Sequence, residues 1–320
     1  MAPLLCCFEG NMEGKKDNRT KGLIIAAVSE TIFGTSFIFI RKIVASVTVM
    51  TLLSWRNIIG FLTINLLVLM RVIKVDFKGK NLKPLLLLCS FQPISYYIFE
   101  TISVKMTTAS EAGMFLAATP IITMIFSALF IKDRPSGRQV LFMCITVSGG
   151  LLAAAAGGLS ASGNLTGYFL LLLAMCSESA FAVTSQITDQ FTSVEKTYVQ
   201  TCAGTVVFTI CAIVEQTAAG TLKDSAMLIF TDRTFLVCVL CLALGCNVIG
   251  FFMANYALVA IGATRRAVFG GLGTITAILG GVLILGESFS AIQIVATILI
   301  LTGVYGVNFG SKARTKIHTK

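Results

Sequence analysis

The chain has 320 residues, 56% of them hydrophobic and only 12% charged, with a mean hydropathy of +0.87. Ordinary soluble domains carry roughly 25% charged residues, so this composition excludes a water-facing exterior and predicts an all-α polytopic membrane protein. The net charge of +10 does not point to nucleic acid, because the basic residues sit in short polar gaps and form no stripe with interleaved aromatics.

In chain order, residues 1–21 read as a basic N-terminal tail. A span needs about 20 largely apolar residues. Runs of that kind predict spans over 22–43, 48–71, 83–103, 107–131 and 137–157, followed by a Gly/Ser/Ala-rich linker at 158–165. Five more follow over 166–188, 197–217, 234–259, 263–286 and 290–310, and residues 311–320 form a basic C-terminal tail. The chain thus divides into two five-helix units, 22–157 and 166–310. Basic residues test the count. Alternate gaps carry most of them, Lys196, Arg265 and Arg266 included, whereas the opposite gaps hold only Arg41, Lys42, Lys105, Lys223 and Arg233. That bias predicts ten spans with both tails in the cytoplasm of a cell (plasma) membrane.

The two units repeat each other. Ala109, Gly113 and Ala117 align with Ala263, Ala267 and Gly271, and the same spans add Gly273 and Gly281, so small residues recur at helical spacing. Such stripes let helix backbones approach closely in lipid. Ser136 and Gln139 recur as Ser290 and Gln293, Arg56 aligns with Gln200, and "SETIF" at 29–33 returns as "SESAF" at 177–181. Five spans per unit is an odd number, so the second copy enters the membrane upside down. Inverted repeats of this kind place a substrate site near the midplane, where the units meet.

On the stretches "TTASEAGMFLAATPIITMIFSALFIKDRPSGRQVLFMCITVSGG" and "GATRRAVFGGLGTITAILGGVLILGESFSAIQIVATILILTGVYG", with the opening "ETIFGTSFIFIRK", the chain resembles the EamA-type transporters of the drug/metabolite transporter superfamily. The resemblance covers about residues 20–310 and implies a central cavity and movement of small metabolites, often outward. The family's acidic residue after the ninth span is Glu287, with Asp133 in the first unit. Its proline in the last-but-one helix of each unit is Pro120, replaced by Thr274 in the second.

Polar residues inside spans mark the candidate site. A charge at the bilayer centre costs about 2.5–3.5 kcal/mol on insertion scales, so it faces the bundle interior or a cavity. Glu30 and Glu178 are the repeated carboxylates, candidates both for substrate binding and for proton coupling. Arg56 needs a partner, for which Glu30 or Glu100 is the natural expectation, or it clamps a substrate carboxylate. Trp55 beside it is placed either to stack on substrate or to anchor the span at the interface. Pro93 breaks the third span and frees a carbonyl near Gln92. Gln92, Tyr96 and Glu100 share one face by their spacing, and Asn247 and Asn255 occupy comparable positions in the eighth span. "TASE" at 108–111 reads instead as a helix cap.

Three candidate acids against one base suit a zwitterion or cation better than a multiply anionic nucleotide sugar. The expectation is a secondary transporter that exports amino acids or similar zwitterions by alternating access, with organic cations or nucleotide sugars as the alternative cargo. A small-molecule substrate and the lipid bilayer are the expected partners, nucleic acid is not, and a homodimer is compatible with the sequence. A channel or a membrane enzyme is disfavoured, since no nucleophile–base set or metal cluster is visible and the one histidine, His318, lies in the tail. Neither a cofactor nor a metal is expected; the cysteines fall mostly inside apolar runs, where they act as small hydrophobic filler.

Overall fold

The computed structural model describes residues 15–116, 118–131, 136–158, 165–188, 190–263, 266 and 269–309. Among these there are helices and no strands. Residues 1–14 of the N-terminal tail, the C-terminal tail, Ala117, Asp133 and Ala267 lie outside the described residues, whereas residues 15–21 are helical and not a separate tail.

The helices follow the apolar runs closely. They are α1 (Lys15–Ile43), α2 (Val49–Leu69), α3 (Lys83–Met106), α4 (Ala109–Leu116), α5 (Thr119–Phe126) and α6 (Gly137–Gly158). After them come α7 (Leu165–Ile187), α8 (Ser193–Ala219), α9 (Leu222–Thr231), α10 (Arg233–Ile261), α11 (Gly270–Leu285) and α12 (Ala291–Phe309). Seven described helical stretches are long and apolar enough to cross a membrane; α4 and α5 together make one of them, and α11 and the start of α12 are shorter apolar helices. Two features depart from the sequence reading. The stretch after α8, outside the predicted spans, forms α9, and the described part of the ninth span is interrupted by a turn at Phe269 before α11.

Burial runs opposite to that of a water-soluble bundle. Leu62, Leu66, Leu69, Ile210, Val214, Leu283 and Ile284 are exposed, whereas Ser29, Asn57, Gln200, Asn247 and Asn255 are buried. Lipid accepts the first set, and a polar interior is stable only where every group finds a partner. The chain is therefore read as a multi-pass membrane protein.

Helix starts are set by caps that the sequence spells out. Ser136 and Gln139 exchange side-chain-to-backbone bonds (2.7 and 3.4 Å) at the start of α6, and Ser290 and Gln293 repeat the exchange (2.8 and 3.2 Å) at α12. Thr108 and Glu111 form the expected box at α4, both bonds 3.1 Å. The first turn of α4 also receives a carboxylate from far along the chain. Glu287 accepts from the backbone N–H of Ala109 (2.8 Å) and of Ser110 (3.0 Å) and from the Ser110 hydroxyl (2.6 Å). An anion there meets the positive end of the helix.

Small residues bring the helices together. Ala109, Gly113, Ala263, Gly271, Gly273 and Gly281 are all buried. At Gly34 of α1 an added Cβ would stand 2.8 Å from Thr276 Cβ, with the Gly273 carbonyl oxygen nearer still, so α1 and α11 cross backbone to backbone. The main helix pairings come in matched sets between the two units: α2 with α8, α6 with α12 and α4 with α11 join corresponding helices. The pairing of α1 with α10 is matched by α7 with α3, and that of α1 with α11 by α7 with α5.

Candidate functional site

Between these helices lies a cavity of about 70 Å³. Its charged lining consists of Glu30, Glu100, Glu178, Arg56 and Arg266, joined by Gln92 and Tyr96. Hydroxyls from the two broken segments, Thr119 and Thr123 of α5 and Thr274 of α11, close one wall. Pro120 stands in the first turn of α5, where its missing N–H costs nothing.

One cluster unites the repeated glutamates. Arg266 Nη2 lies 2.7 Å from Glu30 Oε1, and Arg266 Nη1 donates to Glu178 Oε1 at 2.7 Å. The three side chains are 6, 14 and 13% exposed, so the pairs are largely withdrawn from solvent, where removing one partner of an ion pair is most costly. The guanidinium also stands 6.0 Å from the Phe33 ring centre, at the edge of cation–π range, and its Nε has no hydrogen-bond partner. Arg266 corrects the sequence reading, which counted it among the charges of a polar gap. Arg266 is helical ahead of α11, bonding back to the Gly262 carbonyl at 3.0 Å, and its side chain turns inward to the two glutamates. Lys196, counted in the same way, is likewise buried and donates to the Ser185 carbonyl at 2.6 Å.

The second cluster surrounds Arg56, and here the expected carboxylate partner is replaced. The guanidinium lies 3.8 Å from the centre of the Tyr97 ring, and its Nε donates to Asn247 Oδ1 at 2.8 Å. Tyr97 donates to the same oxygen at 2.6 Å, while the Asn247 amide donates to Asn57 Oδ1 at 3.2 Å. Asn247 can take this place because α10 widens into a π-helical segment over Cys241–Gly250, a distortion often found at functional sites. Among the described residues no carboxylate lies within ion-pair distance of Arg56, because Glu30 is held by Arg266 and Glu100 by Tyr96. The Tyr96 hydroxyl donates to Glu100 Oε1 at 3.2 Å. Two charged atoms are consequently left buried and unpaired on one cavity, Arg56 Nη1 and Glu100 Oε2. An unsatisfied charged group of this kind is costly to the fold, and a ligand bearing the complementary groups would satisfy both.

Gln92, Tyr96 and Glu100 all line the cavity, although the chain leaves helical geometry at Gln92 and the three do not share one regular helix face. Gln92 leaves helical geometry (φ −142°, ψ 121°) before a cis peptide bond to Pro93, and its freed carbonyl accepts from Gln200 Nε2 at 3.2 Å. Gln200 Oε1 in turn accepts from Asn255 at 2.8 Å. Asn247 and Asn255 therefore support the site from behind instead of facing the cavity. Trp55 also stands back from it, donating from Nε1 to the Ser225 carbonyl at 3.1 Å. Asn57 and Tyr97 were not marked by sequence reasoning; a tyrosine and an asparagine next to marked residues carry no separate signal. Arg266 did leave one, because three acids placed in spans against a single base require a further cation. Among the described residues no three His, Cys, Asp or Glu side chains gather as metal ligands.

Comparison with known proteins agrees with this architecture. The family model described as "EamA-like transporter family" matches the chain twice, over residues 20–155 and 165–309. The chain is 29% identical over 303 residues to "Uncharacterized transporter YcxC" of Bacillus subtilis (strain 168), an alignment covering 94% of this chain and 97% of that protein. A solved structure titled only "Crystal structure of protein" superposes with a TM-score of 0.61 at 17% identity, covering 91% of this chain and 98% of the other, which bears on the fold alone. With most of its length matched in two successive copies, the chain belongs to the EamA-like transporter family.

Proposed function

We propose that the protein is a secondary transporter that carries small amine-bearing zwitterions of the amino acid class outward across the cytoplasmic membrane by alternating access. The observation that carries this reading is the pair of buried, unpaired charged atoms, Arg56 Nη1 and Glu100 Oε2, in the side chains that line one cavity. Arg56 receives the carboxylate of the cargo and Glu100 its ammonium group, with Gln92 and Tyr96 beside them. The carriage is ten spans in two inverted five-helix units, 22–157 and 166–310, with both tails cytoplasmic. The matched helix pairings and the repeated Ser/Gln caps support that arrangement. The outward direction rests on the family resemblance.

Organic monocations are the second reading, favoured by the excess of carboxylates over guanidinium groups in the lining. Nucleotide sugars, with at least two negative charges, meet that same excess as repulsion.

A panel of amino acids, polyamines, organic cations and nucleotide sugars, each at millimolar concentration, tests the reading through thermal unfolding of the purified protein in detergent. A ligand that binds only the folded state raises its stability. Amino acids are expected to raise the melting temperature of wild-type protein and to lose that effect in Arg56→Ala. A rise from nucleotide sugars alone would overturn the assignment.

A further inference from the structure

The cluster around Arg266 has a charge imbalance that the zwitterion reading does not use. Two carboxylates, from α1 and α7, share one guanidinium at 2.7 Å on each side. The cavity lining holds three carboxyl groups and two guanidinium groups, an excess of one acid over the bases. Arg266 is helical, its backbone N–H bonding the Gly262 carbonyl at 3.0 Å, and it lies ahead of the turn at Phe269 that precedes α11. A guanidinium paired with two carboxylates, on a cavity that also exposes the unpaired Glu100 Oε2, occupies the place that a ligand cation would take.

We propose that Arg266 is a tethered cation that fills, in the empty carrier, a seat made by Glu30 and Glu178 for the ammonium group of a cationic cargo, and that the cargo enters by displacing it from one glutamate. The inference rests on the reading of this cavity as a cargo site and extends it: the cavity favours molecules whose positive charges outnumber their negative ones by one, such as primary amines and diamino acids. No bond forms or breaks in the exchange. One ammonium–carboxylate pair replaces one guanidinium–carboxylate pair, and the freed guanidinium face turns toward the anionic end of the cargo. A built-in competitor also keeps the two carboxylates from facing each other bare when no cargo is bound, where like charges in a low-dielectric interior repel strongly.

The proposal reverses the usual sign of a mutation at a binding site. In purified full-length protein, n-propylammonium chloride is titrated at constant ionic strength while thermal unfolding is followed, with n-propanol as the uncharged control. Arg266→Gln removes the competitor, and half-maximal stabilisation is expected at least tenfold lower in propylammonium than for wild type, with propanol inert. Should two bare carboxylates prevent Arg266→Gln from folding, Glu30→Gln combined with Arg266→Gln leaves a single carboxylate, and it is also expected to respond at lower concentration than wild type. Arg266→Lys retains a tethered cation and is expected to stay near the wild-type midpoint. An unchanged or raised midpoint in the Arg266→Gln or double variant would overturn the exchange, as would the absence of any propylammonium response. Amino acids that fail to protect wild-type protein, in the presence of a normal Arg266→Gln response, would remove the zwitterion assignment and leave the exchange standing.

Discussion

Asn247 shows how the site depends on a residue that does not face it. Its Oδ1 accepts from both Arg56 Nε and the Tyr97 hydroxyl, and its amide donates to Asn57, so a single side chain sets the orientation of the guanidinium. Asn247→Ala leaves two buried donors unpaired, each at a cost of about 1–3 kcal/mol. The expected outcome is a clear fall in melting temperature together with a weakened amino acid response, measured in the same unfolding assay. A variant with wild-type stability and wild-type ligand response would show that Arg56 is positioned by Tyr97 alone. At this scale the sequence was legible where charge contrasts with its surroundings. Glu30, Arg56, Glu100 and Glu178 stand out in apolar runs because lipid tolerates them only inside the bundle. Arg266 was hidden because a basic residue at the start of a span looks the same whether it faces headgroups or a cavity. Only the folded chain, which sets Arg266 between Glu30 and Glu178, decides between them.

Caps and breaks are the devices that shape the helices around the cavity. Most were written locally: Thr108/Glu111, Ser136/Gln139 and Ser290/Gln293 each place a hydroxyl three residues before a carboxyl or amide. Pro93 likewise announced an interruption, although the donor that satisfies the freed Gln92 carbonyl, Gln200, could come only from the folded arrangement; Pro120, inside a run read as one span, did not. Glu287 is the long-range member of this set. It binds two backbone N–H groups and one hydroxyl at the start of α4, and Gly281 lacks the side chain that would displace it. Glu287→Ala is expected to lower stability by about 1–2 kcal/mol, the scale of a lost helix cap. Glu287→Gln, which keeps an acceptor oxygen but not the charge, is expected to fall between the two. Equal stability of all three proteins in thermal unfolding would mean that α4 is held by packing alone.

For the whole molecule, the apolar runs and their interruptions gave the helical, multi-pass character directly, because lipid imposes one rule on every span. The pairing of the units was visible only in outline, as recurring small residues whose contacts required the folded chain. Packing joins α2 to α8, α6 to α12 and α4 to α11, and encloses the charged lining where the units meet. Under the proposed carriage by alternation, cargo held on one side is released on the other, whereas a continuous pore would conduct without saturating.

The measurement that tests the central claim most directly is counterflow in liposomes: vesicles loaded with an unlabelled amino acid selected by the unfolding panel take up the labelled form from outside. Saturable accumulation above equilibrium in wild-type vesicles, abolished in Arg56→Ala and Glu100→Gln, is the result predicted here. Flux that rises without saturation, or saturable counterflow that survives both substitutions, would contradict it.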